Sequence, residues 1–133
     1  MKCYLLDTNT ISHIVKNQQK VIKRLVSIPM SAIYISSITY AEIQYGLAKR
    51  PGAKTLKNTI NELLKHIDVL SWDLSTAEVY GKLRASLEQQ GKSIDTLDLL
   101  IASHAVSNNM TLVSDDLAFK HLKTLKLENW LRM

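Results

Sequence analysis

A chain of 133 residues is long enough for one domain, residues 1–133, with a core of its own. Its 46% hydrophobic and 22% charged residues are an ordinary globular composition, and no run approaches the roughly 18 consecutive apolar residues of a membrane-spanning helix. The net charge of +5 favours a polyanionic partner, and a lone cysteine, Cys3, rules out an intrachain disulfide.

Residues 2–6 read as a short apolar strand that stops abruptly at Asp7, Thr8 and Asn9. That stretch is too short for a signal-peptide core and meets an acid at once, so the expected compartment is the cytoplasm, with no membrane partner. Helices are predicted over 10–16 and 18–27, the second with Val21, Ile22, Leu25 and Val26 on one side. A β-rich strand follows at 33–36. The next helix is expected from Thr39 to about Lys49, halting before Pro51-Gly52. A helix over 54–66 leads to a strand over 67–70. Ser75 and Glu78 form a capping-box pattern that predicts a long helix over 75–90, and Gly91 suits its C-terminal cap. Residues 95–107 are apolar almost all round, the mark of a buried helix. A strand at 111–113, a short helix near 117–122 and a strand at 125–128 complete the chain. Strands alternating with helices predict a three-layer α/β/α architecture around a central, mainly parallel sheet.

Acids stand at the ends of these segments. Asp7 ends the first strand, Glu42 follows the second, Asp98 lies in the buried helix, and Asp115-Asp116 follow Thr111–Val113. Sites in open parallel sheets lie beyond the carboxyl ends of the strands, which places Asp7 and one of Asp115 or Asp116 on one edge. Each acid alone has a structural explanation. Thr39–Glu42 matches a capping box, Asp95 suits an N-cap, Asp7 could cap the first helix, and Asp115-Asp116 could form a turn. Helix caps have no reason to converge, however, and a carboxylate in a buried helix is costly without a compensating cation. Convergence around a divalent ion is therefore the better account. His13, His66, His104 and His121 show no i, i+4 pairing. With oxygen ligands dominant, magnesium or manganese is expected rather than zinc.

Four stretches carry a family resemblance: Leu6-Asp7-Thr8-Asn9, Ile35 to Gly46 with its Ser-x-Ile-Thr-x-x-Glu-Ile-x-x-Gly pattern, Asp98-Leu99-Leu100-Ile101-Ala102, and Leu112-Val113-Ser114-Asp115-Asp116. They resemble the successive motifs of PIN domains, and more narrowly of VapC-type toxins from bacterial type II toxin–antitoxin pairs. The resemblance runs from residue 3 to about 130. It implies an endoribonuclease dependent on Mg2+ or Mn2+, with Asp7, Glu42, Asp98 and Asp116 as catalytic and metal-holding residues. Asn9 and Ser114 match positions that support the site by hydrogen bonding. The family often has another acid just before the phenylalanine of its last motif, and here Ala118 precedes Phe119. The resemblance further implies a cognate antitoxin that covers the site, operator DNA reached only through that antitoxin, and a toxin homodimer. Ser93-Ile94 and the Glu42 block point to the branch that cuts tRNA in the anticodon loop.

A single-stranded or looped RNA exposes the backbone that such a site must reach. Lys49, Arg50 and Lys54 after the Glu42 helix, and Arg84 on the long helix, are the candidate phosphate contacts. Two other functions share parts of the pattern. A phosphatase acting through an aspartyl-phosphate would want Asp-x-Asp, and Asn9 occupies the second position. A metal-stabilised RNA-binding module without catalysis would keep the acids but lose activity. A P-loop or dinucleotide site is unsupported, because Gly46, Gly52, Gly81 and Gly91 never cluster.

Overall fold

A computed structural model describes residues 1–132. Five strands form one sheet: β1 (Tyr4–Leu6), β2 (Ile33–Ser36), β3 (Asp68–Leu70), β4 (Thr111–Val113) and β5 (Lys126–Glu128). Their order is β3-β2-β1-β4-β5, and every neighbouring pair is parallel. The expected mainly parallel sheet is thus wholly parallel. The helices are α1 (Thr8–Val15), α2 (Gln19–Val26), α3 (Ser37–Ala48), α4 (Lys54–Leu64), α5 (Leu74–Gln89) and α6 (Thr96–Ser107). Short 3-10 turns occupy Met30–Ala32 and Leu117–His121.

The three layers follow from the period-2 alternation of the strands. Tyr4, Leu6, Ile33, Ile35 and Val113 point to one face, where they pack with α1, α2 and α4. Leu5 and Leu112 point to the other, with Leu99, Ile101, Ala102 and Ala105 of α6 and Leu87 of α5. Strands covered on both faces carry little but apolar residues, which is why β1 and β4 are buried along their length. The chain builds outward through β2 and β3, then returns past β1 to lay down β4 and β5. The strand order therefore reverses between β1 and β4, and a crevice opens at such a point beyond the carboxyl ends.

Helix starts differ from the expected ones where a nearer acceptor was available. α3 begins at Ser37, because the Ser36 hydroxyl at the end of β2 accepts from Ile38 N at 3.1 Å. Glu42 therefore sits in the second turn, and the Thr39–Glu42 capping box does not form. α5 begins at Leu74, because Asp73 accepts from Thr76 N at 3.0 Å and from Thr76 Oγ1 at 2.8 Å. Ser75 and Glu78 lie inside the helix. Gly91 has φ 68°, as the cap position after α5 requires.

A buried polar strut joins the helices on either side of the crevice. His104 of α6 is buried, with Nδ1 2.8 Å from Ser36 Oγ at the head of α3. Trp72 donates its indole N–H to Leu100 O at 2.9 Å, and its backbone N–H reaches Ser37 Oγ at 3.1 Å. Burial holds the His104 pKa below its ordinary value of 6.5, against the opposing pull of Asp73 and the Ser71 backbone. The unfolded chain then takes up this proton first as pH falls. From this residue, stability should decline as pH drops below the ordinary value of 6.5, and remain constant well above it. Melting midpoints of the wild type and a His104→Asn variant on both sides of that value test this. The variant should be weaker by about 2 kcal/mol at neutral pH through the lost ring, and should lack this acid slope.

Candidate active site

The strand reversal sets Asp7 and the Ser114–Asp116 segment side by side. Asp7 follows β1 directly, and its backbone N–H extends the ladder to Val113 O at 3.1 Å. Its side chain caps α1, with Oδ1 accepting from Thr10 N at 2.8 Å. Thr10 Oγ1 in turn donates to Val113 O at 2.9 Å, which pins the start of α1 to the end of β4. Asp7 is only 3% exposed. Burial pushes its carboxyl above the ordinary value and the Asp115 charge adds to the rise, while hydrogen bonds from Ser114 and Thr10 hold it down. A buried carboxylate supplied with donors is oriented but still short of a counter-charge.

Asp98 lies in the first turn of α6 and is partly buried. Its carboxyl is pushed up to about 6, first by burial and then by the charges of Asp95, Asp116, Asp7 and Glu42. Four other carboxylates therefore act on this one group. The chain thus brings Asp7, Glu42, Asp98 and Asp116 together from β1, α3, α6 and the segment after β4. Asp116 also caps the 3-10 turn, with Oδ1 accepting from Ala118 N at 2.9 Å, and its own N–H reaches Ser114 Oγ at 3.1 Å. Ser114 thus holds the Asp116 backbone beside Asp7. Asp115 turns toward α1, where Oδ2 lies 3.3 Å from His13 Nε2. The pair Asp115-Asp116 is divided between these two tasks.

Other residues at the site differ from expectation. Asp95 takes the N-cap position of α6, but its side chain makes no capping hydrogen bond. It acts instead as one more negative charge on Asp98. Asn9 is exposed in the first turn of α1, and no side-chain hydrogen bond from it is found among the described residues. Its neighbour Thr8 reaches into the site, donating Oγ1 to Glu42 Oε1 at 2.6 Å. The sequence offers both residues behind Asp7, and only the phase of α1 decides which one faces Glu42. His13, two turns along α1, could not have been singled out without the loop that brings Asp115 to it.

Beside Glu42 and Thr8 opens a cavity of about 310 Å3 between α1, α3 and α4. Its floor is apolar, with Ile11, Val15, Ile43 and Leu47, and Lys16, Lys49 and Arg50 border it. None of these three cations forms an ion pair among the described residues. Lys49 stands 5.0 Å from the centre of the Tyr45 ring. Arg84 is placed elsewhere, on α5, where it spans Tyr80 Oη at 3.0 Å and Glu88 at 3.4 Å.

Among the described residues, no three His, Cys, Asp or Glu side chains stand so as to hold a metal ion as they are. The donor chemistry nevertheless fits a hard cation. The neighbouring acids are all carboxylates, with one imidazole at the margin, and Asp98, raised by burial and then by four like charges, is in a setting that a divalent ion would relieve.

The model of the PIN domain matches residues 4–125. The ribonuclease VapC2 of Rickettsia felis is 36% identical over 130 residues, covering 96% of this chain and 97% of that protein. The tRNA(fMet)-specific endonuclease VapC of Salmonella typhimurium is 30% identical over 128 residues, with the same coverage. The crystal structure of VapBC2 from Rickettsia felis bound to a DNA fragment from its promoter superimposes with a TM-score of 0.89 at 34% identity, covering 96% of this chain and 98% of that one.

Proposed function

The chain belongs to the PIN-domain family, alongside the VapC ribonucleases, and from that premise we propose that it is a metal-dependent endoribonuclease toxin. The observation that supports this reading most is the pressure of four neighbouring carboxylates on Asp98 at the crevice where the strand order reverses. Asp7, Asp98 and Asp116 would hold Mg2+ or Mn2+, with Glu42 as a further ligand or as the group that orients water. Such an ion, when bound, neutralises charge on the phosphate and makes a water molecule more acidic.

The chain's own side chains do the rest. The Thr10 N–H fixes the Asp7 carboxylate, and Ser114 and the Ala118 N–H fix Asp116. Glu42, held at Oε1, presents its other oxygen to the attacking water. Water adds to phosphorus in line with the departing oxygen and gives up a proton to Glu42, the P–O bond breaks, and the departing oxygen takes a proton from solvent, after which Glu42 returns its own to solvent. Comparing digestion of RNA with and without Mg2+, beside an Asp7→Asn variant, tests the proposal. Cleavage by the wild type only with the ion, and none by the variant, is expected. Equal cleavage by both would remove the mechanism.

The RNA strand would approach on the side of the unpaired cations, so that Lys49 and Arg50 take phosphates flanking the cut. Arg84 stands apart from them on α5, engaged with Glu88 and Tyr80. Binding of a single strand should weaken linearly in log salt, with about 0.7 of slope for each phosphate contact. Arg50→Gln should lower the slope by about that amount in a filter-binding series, and an unchanged slope would take Arg50 off the path. The likeness to a tRNA-specific relative makes tRNA the first substrate to try. The likeness to a VapBC assembly bound to promoter DNA supports a cognate antitoxin; contact with operator DNA through that antitoxin alone, and a toxin homodimer, are further parts of the proposal. No helix among the described residues is long and apolar enough to cross a membrane, and a toxin that cuts RNA to inhibit translation would work in the cytoplasm.

A further inference from the structure

Thr8 belongs to no helix cap and no core cluster, yet it makes a close charge-assisted contact with Glu42. Its Oγ1 lies 2.6 Å from Glu42 Oε1, across 34 residues of sequence and between two helices. We propose that Thr8 is a positioning residue, which holds Glu42 in the geometry that serves the cation and the attacking water. The inference rests on the nuclease reading above.

Three features carry it. Glu42 sits in the second turn of α3 and is only partly buried, so its three rotatable bonds would otherwise leave the carboxylate mobile. Thr8 is β-branched and lies in the first turn of α1, where backbone and rotamer are both restrained. It follows Asp7 directly, so the tether is anchored to the buried acid at the centre of the cluster. The bond also engages only one oxygen. No other side-chain hydrogen bond to Glu42 is found among the described residues, which leaves Oε2 open on a carboxylate whose orientation is already fixed. An O–H···O− bond of this length is among the stronger hydrogen bonds. Thr8 thereby does for Glu42 what the Thr10 N–H does for Asp7.

The test compares full-length wild type, Thr8→Val and Thr8→Ser in two measurements. One is Mn2+ affinity by calorimetry without RNA; the other is kcat and KM for RNA cleavage. Thr8→Val keeps the shape and removes the donor. It should weaken Mn2+ binding several-fold and lower kcat about tenfold, with KM nearly constant, because groups orienting a ligand commonly count for 10–100-fold. Thr8→Ser keeps the hydroxyl and should restore most of both. Wild-type values in Thr8→Val would overturn the proposal. Equal defects in both variants would overturn it too, since serine keeps the donor and the defect would then not follow the loss of the hydroxyl. Should the wild type cut no RNA, the nuclease reading falls, and the calorimetry still decides. Weakened Mn2+ binding rescued by serine supports the tether, and equal binding in all three proteins refutes it.

Discussion

Asp98→Asn should abolish RNA cleavage and at the same time raise the melting temperature of the cation-free protein. Both effects come from the same crowding. Burial and four neighbouring acids push the Asp98 carboxyl up to about 6, so at neutral pH the fold carries an ionised group that it disfavours. Asparagine removes the charge at nearly constant shape. The full shift would correspond to about 3 kcal/mol, and solvent screening of this partly exposed group reduces the gain to about 1 kcal/mol. For a domain of this size that is about 4 °C. The pH dependence fixes the sign. A carboxyl whose folded pKa lies above its unfolded value of 3.8 favours folding below that value, and loses the contribution as pH rises through about 6. The advantage of Asp98→Asn should therefore be full near pH 7.5 and vanish near pH 4. Added Mn2+ should stabilise the wild type, by about 2.7 kcal/mol at a hundred times its Kd, and the variant far less. Cleavage should fall on the order of 100- to 1,000-fold, as for other losses of charge stabilisation at a reacting centre. A variant that melts below the wild type at neutral pH would show that Asp98 is not held against like charges.

The layers and the edge that bears the acids were legible because they depend on periodicity. Short apolar runs at β1 and β4, set between helical patterns, read as strands covered on both faces, and the parallel crossover rule then brings Asp7 and the Asp115-Asp116 pair to one edge. Asp98 was legible through its cost, as an acid in a helix otherwise made for burial. What the sequence left ambiguous were choices between adjacent groups of similar chemistry. Ser36 competes with Thr39 to start α3, and the strand end wins because its hydroxyl already points along the new helix. Asp73 competes with Ser75 to start α5, and the carboxylate wins by accepting two bonds from Thr76. Thr8 competes with Asn9 for the inside of the site, and the phase of α1 turns the asparagine out to solvent. His104 reads as one polar residue in an apolar helix, and only the packing of α6 on α3 supplies its partner, Ser36.

Asp7 offers a sharper separation of chemistry from folding, because it does two things at once. One oxygen caps α1 through Thr10 N, and the charge serves the cluster. Asp7→Asn keeps the amide oxygen as a cap acceptor and removes the charge. Asp7→Ala removes both. Neither variant should cleave RNA, with rates lower on the order of 100- to 1,000-fold or more, but their melting curves should differ. The asparagine form is expected to match or exceed the wild type without cation, since burial already disfavours the ionised carboxyl. The alanine form should fall about 1 kcal/mol below the asparagine form through the lost cap. The contrast with Asp98 is informative. Burial leads at both positions, but hydrogen bonds from Ser114 and Thr10 oppose it at Asp7, whereas the next contributions at Asp98 are like charges. Asparagine should therefore stabilise the cation-free protein more at position 98 than at position 7. The reverse order would mean that repulsion among these acids adds little to burial at Asp98, and would remove the main physical reason to place a cation between them.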